Sequence, residues 1–263
     1  MSETFLEKIL ESTRRRIAAL SASEDITELS TRAEEMRSSR LSGSFLKTLE
    51  QGHRTNIIAE IKRASPSKGV INDQIDVRET AMEYRDGGAC AISVLTEEMY
   101  FRGSLADLAA ARDAVEIPIL RKDFILDPVQ IYEAAAAGAD AVLLIVAILE
   151  PEDLQELRSL AQELGLDALI EVHSLAELEV AGSIGATLIG VNNRDLRSFD
   201  VSLDVSRELI HYKPAGSLMI AESGISSKKQ IEELRPLGFD GFLIGETLMQ
   251  TSGRQTTLEE LVS

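Results

Sequence analysis

Four glycine-led junctions recur along this chain at nearly constant spacing. Gly88-Ala89, Gly138-Ala139, Gly185-Ala186 and Gly238-Phe239 lie 50, 47 and 53 residues apart and run into CAISVL, DAVLLIVA, TLIGV and DGFLIG. A left-handed glycine commonly ends a helix, and a short continuous apolar run marks a strand buried on both faces. Between these lie four further runs, NIIAEIK, IPILRKDF, DALIEV and SLMIAESG. The pattern predicts eight strands, at 57–62, 91–95, 118–122, 141–146, 168–172, 187–191, 218–222 and 241–244. Helical segments are predicted over 77–86, 104–114, 128–137, 151–164, 174–182, 202–210, 227–236 and from 246 onward. Pro128, Pro151, Ser174, Ser202 and Ser227 stand near their starts, where proline and serine are favoured.

Strands alternating with helices pair in parallel through right-handed crossovers. Eight such units, repeating at roughly 25 residues, match a (β/α)8 or TIM barrel of the α/β class. The competing architecture, a doubly wound open sheet, lacks a G-x-G-x-x-G turn after any strand. Residues 1 to about 50 precede the first strand. FLEKILESTRRRIAAL places Phe5, Leu6, Ile9, Ile17 and Leu20 at a rough helical period. The expectation is one domain over residues 1–263, with 1–50 as an N-terminal extension of two or so helices packed on the barrel.

Composition narrows the partners. The net charge is −17 and 44% of the 263 residues are hydrophobic. That balance argues against nucleic acid, whose phosphates demand clustered Lys and Arg. The longest apolar run, AVLLIVAIL between Asp140 and Glu150, is too short to cross a bilayer. The N-terminus, charged from Glu3 on, does not read as a secretory signal. No membrane association and a cytoplasmic location are expected. The single cysteine, Cys90, excludes an internal disulfide, and the scattered His53, His173 and His211 suggest no metal site.

In a barrel of this kind the active site gathers at the C-terminal strand ends. There the first strand offers Glu60 and Lys62, the third Lys122 and the fifth Glu171. The sixth offers Asn192 with Arg194 beyond it, the seventh Glu222 and Ser223, and the eighth Gly245. One reading is a salt-bridge network that only closes the barrel top. Buried ion pairs are poor stabilisers, however, and alternating ammonium and carboxylate groups suit acid–base work. Ser223-Gly224 and Gly245-Glu246 suggest a phosphate cradle of backbone N–H groups, with Ser65 and Lys68 completing it. Either pair alone could be a simple turn.

IIAEIKRASPSKG, YFRGS, PILRKDFI, LIEVHS, IGVNNRDL, IAESGI and FLIGETLM stand in this order over nearly the whole chain after about residue 45. Together they closely resemble the indole-3-glycerol phosphate synthase family of tryptophan biosynthesis. The resemblance implies a cofactor-free, metal-free enzyme. It would convert 1-(2-carboxyphenylamino)-1-deoxyribulose 5-phosphate to indole-3-glycerol phosphate with loss of CO2 and water. It assigns Lys122 as the acid on the keto oxygen. It places Lys62 and Arg194 on the departing carboxylate. Glu171 and Glu60 are the carboxylates for dehydration, with Lys62 the alternative second acid. Asn192, Glu222 and Ser223 match residues that position the sugar. Phe101, Phe124 and Leu143 match residues around the aromatic ring, although ordinary core packing explains them equally well. Glu246 is expected to bind phosphate through its N–H with its side chain turned outward. The match gives His173 no role.

Two other classes bear on the same residues. A sugar-phosphate isomerase or metal epimerase needs one acid–base pair or several ligand histidines, which fits this set poorly. A non-catalytic barrel would be expected to lack Lys62, Lys122 or Glu171. No sequence feature decides the oligomeric state; a monomer is expected.

Overall fold

A computed structural model describes residues 4–38, 40–51 and 55–263; His53 lies outside them. The eight barrel strands are β1 (Ile57–Ile61), β2 (Ala91–Leu95), β3 (Ile119–Lys122), β4 (Ala141–Ile145), β5 (Asp167–Val172), β6 (Leu188–Asn192), β7 (Leu218–Glu222) and β8 (Gly241–Ile244). Each pairs in parallel with its neighbours in chain order. The sheet closes where β1 meets β8, with Ile57 opposite Phe242 and Ala59 opposite Ile244. The expected (β/α)8 barrel is the fold observed, and the predicted strands fall within a residue of these limits. Ala64–Ser65 and Gly69–Val70 add a short antiparallel pair above β1 that the apolar pattern did not foresee.

Three helices precede the barrel among the described residues: α1 (Phe5–Ser23), α2 (Ile26–Ser38) and α3 (Ser44–Glu50). This is one more than the rough period of the segment suggested. Thr4 caps α1 through a reciprocal box with Glu7, satisfying N–H groups that a helix start leaves free. The outer helices are α4 (Val77–Asp86), α5 (Leu105–Ala114), α6 (Pro128–Ala136), α7 (Pro151–Glu163), α8 (Leu175–Ser183), α9 (Asp204–Leu209) and α10 (Lys228–Leu234). Two more, α11 (Glu246–Gln250) and α12 (Arg254–Val262), follow β8. No helix among the described residues is long and apolar enough to cross a membrane.

Side chains alternate along each strand, so the barrel has two separate apolar regions. Ile57, Ala59 and Ile61 face the helix layer with Val142, Leu144, Ile189 and Val191. Ile58, Leu120, Leu143, Leu169, Leu188, Ile220 and Leu243 share the second cluster with Phe45 and Leu49 of α3 and Ile9 of α1. Phe45 is fully buried, a placement that contributes about 1.5–3 kcal/mol. Leu46 N–H donates to Asp167 at the start of β5 (2.9 Å), so α3 covers the N-terminal end of the barrel.

The extension is also tied down by charge. Asp140, just before β4, is 1% exposed and receives Arg37 of α2 (3.3 Å), Arg40 (2.9 Å) and Arg112 of α5 (2.7 Å). It accepts the Ile119 N–H as well (2.9 Å). Arg37 donates onward to the carbonyls of Ala139, Leu164 and Gly165. A carboxylate shared by three guanidinium groups is buried without an unpaired charge. Removing it leaves two nearly buried arginines uncompensated. Asp140→Ala should therefore cost about 3–5 kcal/mol of stability in urea unfolding followed by circular dichroism. A loss below about 1 kcal/mol, the scale of a surface pair, would contradict this account.

Candidate active site

The lumen-facing residue at the C-terminal end of a strand is the last one before the chain turns outward. On β1 that residue is Glu60, on β3 Lys122, on β5 Glu171, on β6 Asn192 and on β7 Glu222. Closure of the sheet turns these ends toward one another. They form the floor of a cavity of about 620 Å³, which all the predicted site residues line: Lys62, Ser65, Phe101, Phe124, Leu143, Arg194, Ser223, Gly224, Gly245 and Glu246 with the five above.

At the centre stands the Lys122 ammonium, 2.8 Å from Glu171 Oε2 and 3.2 Å from Glu222 Oε2. Glu60 pairs with Lys62 beside it. Burial alone would drive Lys122 toward the neutral amine. The charges of Glu171, Glu222 and Glu60 outweigh burial and hold the ammonium well above the ordinary lysine range. Burial would likewise raise Glu171, but Lys122 and His173 hold it well below the usual carboxylate range. Burial wins for Glu222. Opposed by Lys122 but aided by Glu171 and Glu60, it raises that carboxyl to about 7. Two carboxyl groups at one ammonium are thus driven apart, one to proton acceptor and one to a group that titrates near neutrality.

Glycines make room for these side chains. A Cβ on Gly190 of β6 would fall on Glu222 Oε1, and one on Gly245 would strike the Glu60 side chain, 2.9 Å from its Cβ. Tyr84 of α4 donates to the Glu60 carbonyl (3.1 Å), steadying β1 from behind. Glu222 Oε1 is buried with no hydrogen-bond partner.

The rim carries the remaining functions. Ser223 has φ +64° and Gly224 φ +78°. The left-handed region is uncommon for a serine, and its cause lies in Asn193. That side chain donates to the carbonyls of Glu222 (3.0 Å) and Ser223 (3.1 Å) and accepts from Ser206 N–H (3.0 Å), pinning the turn. Arg194 donates to the Phe199 carbonyl (3.1 Å) and to Ser67 (3.2 Å). Phe101 and Phe124 lie tilted with centroids 6.2 Å apart, forming an apolar wall with Leu143 and with Leu6 and Ile9 of α1.

Glu246 departs from the expectation for its side chain. It is not turned outward. Its carboxylate lies 3.3 Å from Lys68 and 3.7 Å from Arg194, at the edge of the cavity. Two cations from separate loops, otherwise facing each other, draw it inward. The sequence reading also missed Glu97. Its carboxylate accepts the N–H groups of Met99, Tyr100 and Phe101 (2.7–3.1 Å), folding the loop that presents Phe101. An acid two residues past an apolar strand was the only signal for it.

Comparison with known proteins identifies the family. The family model described as indole-3-glycerol phosphate synthase matches residues 6–261. The indole-3-glycerol phosphate synthase of Carboxydothermus hydrogenoformans is 48% identical over 98% of this chain and all of its own. That of Koribacter versatilis is 46% identical over the full length of both. Among solved structures, 3-hexulose-6-phosphate synthase from Salmonella typhimurium has a TM-score of 0.62 at 13% identity, over 79% of this chain and 96% of that one, and shares the fold alone. The chain belongs to the indole-3-glycerol phosphate synthase family.

Proposed function

We propose that the cavity binds 1-(2-carboxyphenylamino)-1-deoxyribulose 5-phosphate and converts it to indole-3-glycerol phosphate, CO2 and water, the carboxy-lyase reaction of this family in tryptophan biosynthesis. The observation that carries the reading is the Lys122 ammonium held between Glu171 and Glu222 on the cavity floor. Ring closure forms a bond between the carboxylate-bearing ring carbon and the keto carbon, while the keto oxygen takes a proton and becomes a hydroxyl. Lys122, kept protonated by its neighbours, is the donor. The carbon–carboxylate bond then breaks, and its electrons restore the aromatic ring. Arg194 and Lys62 steady the carboxylate until CO2 departs. Loss of water needs an acid for the leaving hydroxyl and a base for the proton removed; Glu171, kept ionised, is the base. Glu60 or Lys62, paired side by side, supplies the acid.

Phe101, Phe124 and Leu143 pack the aromatic ring, while Asn192, Glu222 and Ser223 orient the sugar hydroxyls. The phosphate sits at the opposite end, on the backbone of Gly224, Gly245 and Glu246 with Ser65. Gly224 at positive φ supports this, because a residue without a side chain lets the backbone come close to the anion. The reading calls on no metal and no organic cofactor. It takes residues 1–263 as one domain with 1–50 as its extension. It also takes the protein as a cytoplasmic monomer that meets a phosphorylated small molecule and neither nucleic acid nor membrane, in keeping with a net charge of −17.

The chain has no tryptophan, so indole emission reports product against a dark background. Lys122→Ala should lower kcat by about 10²–10⁴-fold while a phosphate-bearing substrate analogue still binds. Turnover like the wild type would remove Lys122 as the acid. Because Glu222 titrates near 7, its charge is lost as pH falls through that value, and with it one of the two anions that hold Lys122. The wild-type kcat should therefore rise with pH across about 6–8, and Glu222→Gln should flatten that step at a lower kcat. A step that persists in the variant belongs to another group.

A further inference from the structure

His173 has no part in the reading above, yet it touches the proposed base. It stands two residues after Glu171, just past the end of β5. Its Nε2 is buried and lies at ion-pair distance, 3.3 Å, from Glu171 Oε1, the oxygen that Lys122 does not hold, without a formed hydrogen bond. Its Nδ1 lies 3.2 Å from Glu177 Oε2 in the first turn of α8. Glu177 is itself fixed, since Oε2 accepts the His173 N–H (2.8 Å) and Oε1 accepts the Ser174 hydroxyl (3.2 Å). We propose that His173 is a positioning residue for Glu171, an imidazolium clamped between two carboxylates that orients the base and gives its second oxygen a cationic partner.

A carboxylate on each side of the ring favours both ring protons. A neutral imidazole has one N–H and one lone pair. Whichever nitrogen were bare would then face a carboxylate lone pair across little more than 3 Å, without water between them. A doubly protonated ring sets a positive charge between the two carboxylates and removes that repulsion. The groups facing the ring are Glu171, Glu177 and, at longer range, Asp195 on the loop after β6; all are acids. Burial would favour the neutral ring, but these carboxylates outweigh it and raise His173 to about 10. The groups facing Glu171 are Lys122 from β3, Glu222 from β7 and His173 itself. Without His173 the Lys122 ammonium would be left to serve Glu171 and Glu222 by itself, and Glu171 would be less firmly held in its ionised form and freer to turn.

The inference rests on Glu171 acting as the base, and the test separates the two. Imidazole ¹⁵N spectra of the full chain, assigned with His173→Gln, should show His173 doubly protonated at pH 8, with its midpoint lowered in Glu177→Gln. His173→Gln should lower kcat roughly tenfold or more with KM within about twofold, the signature of an effect on the chemical step. A neutral ring at pH 7, an unchanged kcat, or a loss expressed through KM alone would overturn the proposal. If His173→Gln does not fold, Glu177→Gln decides: a lowered midpoint with kcat falling supports the clamp, and an unchanged kcat overturns it. Glu171→Gln is the control. Turnover retained there removes the base reading itself. Turnover lost there, with His173→Gln indifferent, removes only the role of His173.

Discussion

Closure of the sheet is the constraint from which the site follows. Once β1 pairs with β8, every strand must send alternate residues into one shared lumen, and every C-terminal end must face the same opening. The lumen is filled by Ile58, Leu120, Leu169, Ile220 and their neighbours, so it offers little water to a charged group. The layer above them is Glu60, Lys122, Glu171, Asn192 and Glu222. These are not paired by neighbouring sequence positions but by the circle itself. That is why an ammonium from the third strand meets carboxylates from the fifth and seventh, and why Gly190 and Gly245 must lack a side chain. A dry floor strengthens each interaction. It also drives the two carboxyl groups at Lys122 apart, Glu171 staying ionised and Glu222 titrating near neutrality.

The N-terminal extension serves both ends of the circle. Phe45 and Leu49 of α3 complete the apolar cluster at the base, while Leu6 and Ile9 of α1 line the opening. Asp140 binds the intervening α2 to the barrel through Arg37. Detaching the extension would therefore uncover apolar area and leave a carboxylate with fewer of its cations. Both costs oppose separation of the helices from the barrel.

Much of this was legible because the physics is local. Parallel strands covered on both faces leave unbroken runs such as DAVLLIVA. Helices that stop at Gly88, Gly138 and Gly185 do so with positive φ, as the Gly-Ala spacing implied. The strand-end charges followed from the fold rule and their order. What was not legible depends on which groups the folded chain brings face to face. Glu246 turns inward because of Lys68 and Arg194, which are 178 and 52 residues distant (246 − 68 and 246 − 194). Glu97 acts on its own loop, but only through backbone N–H groups that no side-chain pattern reveals. His173 read as a loop residue because the meaning of its position requires the carboxylates on both sides of the ring.

The inward turn of Glu246 has a consequence for any anion that enters. The two rim cations already hold a carboxylate tethered to the chain, at an effective concentration no dissolved ligand easily matches. An anion drawn to Lys68 and Arg194 does not meet two free cations; it exchanges with an occupant. Its hold on these two cations is then set by the difference between the pair it makes and the pair it displaces.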